Sequence, residues 1–257
     1  MKDPHRRFPA GLHRDDQAMV RTASAGGIGS PYGYAPALSW GARGSRQERE
    51  RRRPTGRCVG IEHWTVADVV TEPEQCLGAT LFADALGFSK LPDAEVPLFV
   101  ETFLGRIATV VDRYGEERIP VRETWGDGLF FVFPRLDDTA LFALDVADLV
   151  NGIDWQAEGF STSLTLRTAL HHGPMYPIRD PITGRSAVCG AHITQAARLG
   201  PKTLPGHAYA TEAFAARAAL EGHSSFGCTF VKQLEFDKRY GTFPTYMISR
   251  PAAPARG

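Results

Sequence analysis

A short hairpin signature constrains this chain more than any other feature of its sequence. The turn reads Trp125-Gly126-Asp127-Gly128, and an apolar run at residues 129–133 follows it directly. An aspartate between two glycines, with extended segments on both sides, predicts two antiparallel strands joined by a tight turn over residues 121–133. The fold must therefore include antiparallel pairing.

A second aspartate, Asp84, interrupts an apolar stretch that otherwise predicts a buried strand at residues 77–84. A charged side chain in a buried strand is energetically costly unless an opposite charge neutralises it. A hard divalent cation held by Asp84 and Asp127, with its other positions open to water and phosphate, would neutralise both carboxylates. Taken singly, Asp84 is also compatible with a partly exposed strand end, and Asp127 with an ordinary turn.

Helical and extended patterns alternate along residues 58–250. Apolar residues recur at helical spacing from Val96 to Val111, and Gly115 is placed to end that helix. Gly173-Pro174 is predicted to close a strand. Combined with the hairpin, this order predicts an α+β fold in which helices cover a mixed, mainly antiparallel sheet. Further helices are predicted near 138–152, 191–199 and 213–220, and further strands near 164–170, 207–211, 228–234 and 245–248.

Charge is unevenly distributed along the chain. Residues 1–57 carry 12 Lys and Arg against 5 Asp and Glu, although the net charge of the whole sequence is zero. That segment is rich in Gly, Pro and Ser without apolar periodicity, which predicts a disordered basic extension, and residues 251–257 predict a flexible tail. Zero net charge argues against general nucleic-acid binding, and no apolar run is long enough to span a membrane. The four cysteines show no paired short spacing, so a reduced, cytoplasmic protein is predicted.

Four motifs, taken in order, resemble the catalytic domain of class III nucleotidyl cyclases. The likeness covers residues 77–246. It implies the ferredoxin-like sandwich of that family, one catalytic domain at residues 58–250, and conversion of a nucleoside triphosphate into a 3′,5′-cyclic nucleotide and pyrophosphate. The motifs are Phe82-Ala83-Asp84-Ala85-Leu86-Gly87-Phe88, Glu123-Thr124-Trp125-Gly126-Asp127-Gly128, Gly190-Ala191-His192-Ile193-Thr194-Gln195-Ala196-Ala197-Arg198 and Pro205-Gly206-His207-Ala208-Tyr209-Ala210-Thr211.

The resemblance assigns Asp84, Asp127 and the carbonyl of Ala85 to two divalent cations per site, Mn²⁺ or Mg²⁺. Paired carboxylates that bridge two cations suit in-line attack of a 3′-hydroxyl on an α-phosphate. Arg198 falls on the arginine that stabilises phosphoryl charge in the transition state, although an arginine late in a helix can also simply favour the helix end. Thr194 stands where the family usually has an asparagine that positions the ribose. Because one protomer of the family supplies the aspartates and its partner the arginine, a homodimer with interfacial sites is implied.

Two positions that read adenine in adenylate cyclases of the family carry Glu123 and Ala187 here. A carboxylate accepts hydrogen bonds and donates none, so Glu123 cannot donate a hydrogen bond to the N1 atom of adenine. Glu123 can accept a hydrogen bond from a ring N–H of guanine, from the N3–H of uracil or from the amine of cytosine. Trp125 shares the strand face of Glu123 and would narrow a base pocket, but it is equally compatible with a core position. Arg122, also a bulky substrate-binding candidate, faces the other way.

A catalytic domain that stands alone and lacks the adenine-reading pair resembles the pyrimidine cyclases of bacterial anti-phage (Pycsar) systems. Their cyclic UMP or cyclic CMP activates a separate effector protein, and UTP is favoured here over CTP. A guanylate or other purine cyclase and a non-catalytic cyclase-like nucleotide-binding module remain alternatives, whereas the Gly-Gly-acidic-acidic-Phe signature of diguanylate cyclases is absent. Lys238 and Arg239 are candidates for gripping the outer phosphates or, alternatively, solvated loop charges.

Overall fold

The computed structural model describes residues 74–235 and 241–251. The predicted basic segment at 1–57, the first part of the predicted catalytic domain at 58–73 and residues 252–257 of the predicted tail lie outside these ranges. Lys238 and Arg239 lie outside them as well.

The described residues form eight strands and four labelled α-helices. A helical segment begins with a 3₁₀ turn at Asp93–Glu95, passes through an α turn at Val96–Leu98 and a π segment at Phe99–Leu104, and ends with α1 (Gly105–Arg118). Gly115 has the non-helical angles φ 73° and ψ 172°, which kink α1 at the residue predicted to end it. The other helices are α2 (Leu136–Asn151), α3 (Ile193–Leu199) and α4 (Glu212–Glu221). The strands are β1 (Cys76–Leu86), β2 (Val121–Trp125), β3 (Gly128–Phe133), β4 (Thr165–Arg179), β5 (Ser186–Cys189), β6 (Ala208–Thr211), β7 (Gly227–Glu235) and β8 (Thr242–Ser249).

The predicted hairpin is confirmed. β2 and β3 pair antiparallel with Trp125 opposite Gly128, so Gly126 and Asp127 form the turn between them. Gly126 has φ 67°, a left-handed conformation that other residues rarely adopt, which explains the glycine at this position. β3 also pairs with β1 and places Gly128 opposite Asp84.

The strands follow the order β2-β3-β1-β4-β6-β8-β7, and β5 pairs with β4 outside that path. Among the described strands, β4 and β6 pair in parallel and every other pair is antiparallel. The predicted α+β class, with helices on a mixed and mainly antiparallel sheet, is therefore confirmed. Within the described ranges, no helix combines the length and the apolar character needed to cross a membrane.

One face of the sheet carries the main hydrophobic core. Alternate residues of β1, including Leu81 and Ala83, pack there against α1, α2 and α4. Ile107, Phe142 and Phe214 are buried contributions of these three helices, each 2% exposed or less. At about 25 cal/mol per Å² of apolar surface removed from water, this face is the principal source of stability.

The opposite face of the sheet, the second face, is covered by fewer helices. It carries Phe82, Asp84 and Ala169, which alternate with the core residues of β1 and β4. α3 covers part of it, because Ala196 and Leu199 pack on Ala169. Polar side chains at strand ends on this face therefore remain accessible.

Two details differ from the sequence-based expectations. Gly173-Pro174 does not close the strand, because β4 continues to Arg179 and pairs first with β1 and then with β5. β5 has no counterpart among the predicted strands. Its four residues, Ser186–Cys189, are too few to show a period, and only their pairing with β4 defines them as a strand.

Candidate functional site

The two aspartates lie at adjoining strand ends. Asp84 of β1 is opposite Gly128 of β3, and Asp127 directly precedes Gly128 in the turn. The backbone N–H of Ala85 donates to the carbonyl of Asp127 at 3.0 Å, which ties the turn to β1. The register of β1 and β3 therefore brings Asp84, Ala85 and Asp127 together.

A guanidinium accompanies Asp84. Arg167 of β4 lies opposite Asp84, and its Nη2 donates to Asp84 Oδ2 at 2.9 Å. Arg167 is 25% and Asp84 28% exposed, and such a partly exposed ion pair contributes roughly 1 kcal/mol or less, so another cation can replace it. The Nε atom of Arg167 is buried and has no hydrogen-bond partner among the described residues. Sequence reasoning missed Arg167, because neither strand alone reveals the register of β1 with β4.

The carboxylate oxygens of Asp84 and Asp127 and the carbonyl oxygen of Ala85 suit a hard divalent cation. Carboxylate and carbonyl oxygens are the ligands that Mg²⁺ and Mn²⁺ prefer. In the part of the chain that the structure describes, no three His, Cys, Asp or Glu side chains come together in a group that could hold a metal. A cation bound by Asp84 and Asp127 would consequently complete its coordination with water and substrate oxygens. Ala85 can contribute only through its backbone, because its side chain is buried in the main core.

The base-reading candidates on β2 divide between the two faces of the sheet. The register of β2 with β3 places Glu123 and Trp125 on the second face with Asp84, as predicted. Arg122 lies on the other face, where its Nε donates to the carbonyl of Ile119 at 3.0 Å. Because successive strand residues alternate, Arg122 is not among the side chains that the structure brings to this site.

Trp125 is exposed and does not belong to the core. Its side chain is 58% exposed, and its indole stacks on Phe130 with centroids 5.8 Å apart and an interplanar angle of 9°. Phe82 lies beside it at a centroid distance of 6.5 Å. The result is a flat, supported aromatic surface on the face of Glu123, and a nucleobase stacks well on such a surface.

α3 carries the two remaining catalytic candidates. Thr194 and Arg198 are four residues apart and therefore lie one turn apart on the same side of the helix. Thr194 is exposed, and its hydroxyl donates to the carbonyl of Ala191 at 3.4 Å. Arg198 is half-buried. The helix thus presents a hydroxyl and a guanidinium from the same sheet face that carries the aspartates.

Ala187, the second base-reading candidate, lies on β5 opposite Ile178 of β4. Its neighbour Val188 packs against the apolar cluster that β2 and β3 build on the second face. A methyl side chain offers no hydrogen bond, so a base contact at Ala187 would be apolar. Lys238 and Arg239, outside the described residues, have no assigned position in this site.

No protein-family model matches the sequence, and no curated protein sequence matches it. Solved structures of nucleotidyl cyclase domains do share its architecture. The guanylate cyclase domain of RhGC from Catenaria anguillulae, in complex with GTP, has a TM-score of 0.57 at 17% identity over 68% of this chain and 97% of that domain. The adenylyl cyclase CyaB from P. aeruginosa has 0.58 at 14% identity over 70% and 97% of the two chains. An adenylate cyclase from Trypanosoma brucei has 0.57 at 18% identity over 70% and 92%.

TM-scores of 0.57 to 0.58 establish a common fold, and at identities of 14% to 18% the likeness extends to the fold alone. The chain has the α+β fold of adenylyl and guanylyl cyclase catalytic domains, and the fold implied by the sequence motifs is confirmed. In each of the three comparisons the similarity covers nearly all of the other chain, from 92% to 97%. The shared region is therefore a whole domain.

Proposed function

We propose that this protein is a nucleotidyl cyclase, which converts a nucleoside triphosphate into a 3′,5′-cyclic nucleotide and pyrophosphate. The observation that carries the proposal is the position of Asp84 and Asp127 at adjoining strand ends, with Ala85 hydrogen-bonded to Asp127. Carboxylates held on paired strands, in a fold common to cyclase domains, suit the binding of cations and a triphosphate.

The chain's own residues account for binding and orientation. Asp84, Asp127 and the carbonyl of Ala85 would hold two divalent cations, Mn²⁺ or Mg²⁺. When bound, these cations supply Lewis-acid stabilisation of the attacking 3′-oxygen and of the triphosphate. Arg167, held beside Asp84 by strand pairing, keeps a fixed positive charge at the edge of the site, where it suits phosphate oxygens.

The remaining residues act on the transferring phosphoryl group and the ribose. Arg198 stabilises the charge that develops on the phosphoryl oxygens, and the Thr194 hydroxyl orients the ribose. Each site combines the aspartates of one copy with Arg198 of another, so the active form is a homodimer whose second faces meet. The exposed Trp125 on this half-covered face supports that arrangement, because exposed aromatic surface is typical of interfaces.

The proposed substrate is a nucleoside triphosphate with a pyrimidine base. The Glu123 carboxylate accepts from the N3–H of uracil and offers no donor to adenine N1. Trp125, stacked on Phe130, limits the space beside it. UTP is favoured over CTP, because the N3 atom of cytosine is an acceptor and would face the carboxylate unpaired. GTP is the competing purine, since guanine offers N–H donors to a carboxylate.

A pyrimidine cyclase of this kind would act in the cytoplasm and make a second messenger, cyclic UMP, that a separate effector protein reads during anti-phage defence. The support for this role is the presence of Glu123 and Ala187 at the two positions that read adenine in adenylate cyclases. It depends on the base, so a purine as the preferred substrate would remove that support.

Rates of pyrophosphate release with ATP, GTP, CTP and UTP test both the reaction and the base. With Mn²⁺ present, UTP is expected to have the highest kcat/KM and ATP the lowest. Sites built on buried hydrogen bonds reject a base that leaves the group unpaired by roughly 10,000-fold, and for the partly exposed Glu123 we expect about 100-fold.

Substitution of Glu123 separates base reading from chemistry. Glu123→Ala should bring the UTP to ATP ratio of kcat/KM close to one, because it removes the carboxylate and leaves the cation ligands in place. Thr124→Ala, at an exposed position on the opposite face of the same strand, is the matched control and should keep the ratio. GTP as the best substrate would establish a guanylate cyclase, and ATP as the best would show that the pocket assignment is wrong.

A further inference from the structure

A chain of hydrogen bonds on the second face joins two strands and the start of a helix but includes none of the site residues above. Nδ1 of His171, on β4, lies 2.8 Å from the hydroxyl of Thr211 at the end of β6. Nε2 of His171 lies 2.9 Å from Nδ1 of His192, the residue directly before α3. The two imidazole rings are nearly parallel, with centroids 5.2 Å apart and an interplanar angle of 19°, and they meet edge to edge through this contact.

Gly173 makes room for this imidazole pair. A Cβ atom at residue 173 would lie 2.5 Å from Nδ1 of His192 and 2.9 Å from Nε2 of His171, and real Cβ atoms do not approach other atoms so closely. The backbone of Gly173 is not left-handed, so conformation does not require glycine there. The absent side chain is explained by the imidazole of His192, which lies against the backbone of β4.

His171 is buried as a neutral imidazole. Burial, and next the neighbouring His192 and His172, lower the pKa of His171 to about 3. At ordinary pH one ring nitrogen of His171 therefore donates and the other accepts. The hydroxyl of Thr211 can take either role, so both ring nitrogens of His171 have a hydrogen-bond partner.

α3 depends on such contacts for its position. It has seven residues, and helices this short are not stable in water by themselves. Packing of Ala196 and Leu199 holds its inner side to the sheet. At its start, the His192 side chain makes no capping hydrogen bond to the helix and instead contacts His171.

We propose that the hydrogen bond between His171 and His192 is a positioning device: it fixes the start of α3 on the sheet and so sets the direction in which Arg198 and Thr194 reach the reacting phosphate and ribose. This proposal rests on the cyclase function proposed above. In this proposal His171 and His192 touch neither the substrate nor the cations, and they act only through the position of α3.

The positioning role predicts a loss in kcat with little change in KM. His192→Ala removes the link, and misplacement of a catalytic group by about 1 Å lowers rates on the order of 100-fold. His192→Asn keeps a hydrogen-bonding atom near the position of Nδ1 and should recover most of the rate. His207→Ala is the matched control. It removes an exposed histidine whose ring nitrogen contacts the carbonyl of Pro205, and it should keep the wild-type rate.

A second pair of variants tests the same contact from the strand side. Gly173→Ala should lower kcat as His192→Ala does, because the new methyl group displaces the imidazole. In the His192→Ala background, Gly173→Ala should lower kcat by a smaller factor than it does in the wild type, since the closest contact of the methyl group, with His192, is gone and only the contact with Nε2 of His171 remains. Such non-additivity is the signature of a shared contact.

Hydrogen exchange of the amides at 193–199, measured on the whole protein, separates this proposal from the cyclase proposal. Faster exchange in His192→Ala, and wild-type exchange in His192→Asn and His207→Ala, would establish the link whether or not the wild type cyclises any nucleotide. A wild type inactive on all four nucleoside triphosphates would refute the cyclase function alone. Unchanged exchange together with unchanged kcat in His192→Ala would overturn the positioning proposal.

Discussion

Replacement of Asp84 or Asp127 by alanine is expected to lower the rate of cyclic nucleotide formation by at least ~1,000-fold, while the protein stays folded. A pair of cations is worth several kcal/mol to the transition state, and a loss of about 4 kcal/mol corresponds to three powers of ten. The fold should survive, because Asp84 is 28% exposed and the carbonyl of Asp127, which Ala85 contacts, is retained in the variant. Initial rates with Mn²⁺ measure the loss of activity of each variant, and a thermal melt shows whether the variant is folded.

Controls for this experiment come from the same chain. Asp112→Ala removes an exposed carboxylate on α1 and should keep wild-type turnover. Asp84→Asn retains the size of the side chain near Arg167 but removes its charge, so it should be nearly as slow as Asp84→Ala. Turnover close to that of the wild type in Asp84→Ala or Asp127→Ala would show that the aspartates do not hold the catalytic cations.

Mixing two inactive variants is expected to restore activity. Asp127→Ala lacks a cation ligand and Arg198→Ala lacks the arginine, but a mixed dimer contains one site in which both residues are intact. Half of randomly formed dimers are mixed and each has one intact site of two, so recovery to about a quarter of the wild-type rate per chain is expected. The measurement is turnover after the two proteins have been unfolded and refolded together or allowed to exchange subunits.

A second mixture is the matched control for complementation. Asp127→Ala with Asp84→Ala should remain inactive, because every site of that mixed dimer lacks one aspartate. Inactivity of the first mixture, with subunit exchange demonstrated by mass measurement of the dimers, would contradict a site shared between two copies.

The hairpin and its aspartate are predictable because their signals are local. Glycines beside Asp127, with extended segments on both sides, determine the turn, and strand alternation then places Glu123 and Trp125 on one face. The exposed state of Trp125 is not predictable in this way. It depends on which elements cover the second face, where Trp125 is 58% exposed while Val121, at the other end of β2, is buried.

Features that depend on register between distant strands could not be read from the sequence. Arg167 meets Asp84 only because β1 and β4 pair in one register, and β5 is a strand only because β4 continues past Gly173-Pro174. Gly173 shows the difficulty most clearly. In sequence it indicates a turn, whereas in the structure it lies within β4 and provides space for His192.

The measurement that tests the central claim most directly is the identification of the product by mass spectrometry after incubation of the wild type with UTP and Mn²⁺. We expect a 3′,5′-cyclic uridylate and an equal amount of pyrophosphate, with neither formed by Asp127→Ala. Uridine monophosphate with pyrophosphate would indicate hydrolysis in place of cyclisation. Absence of any cyclic product from UTP, CTP, GTP and ATP alike would contradict the assignment of Asp84, Asp127 and Arg198 to a cyclase site.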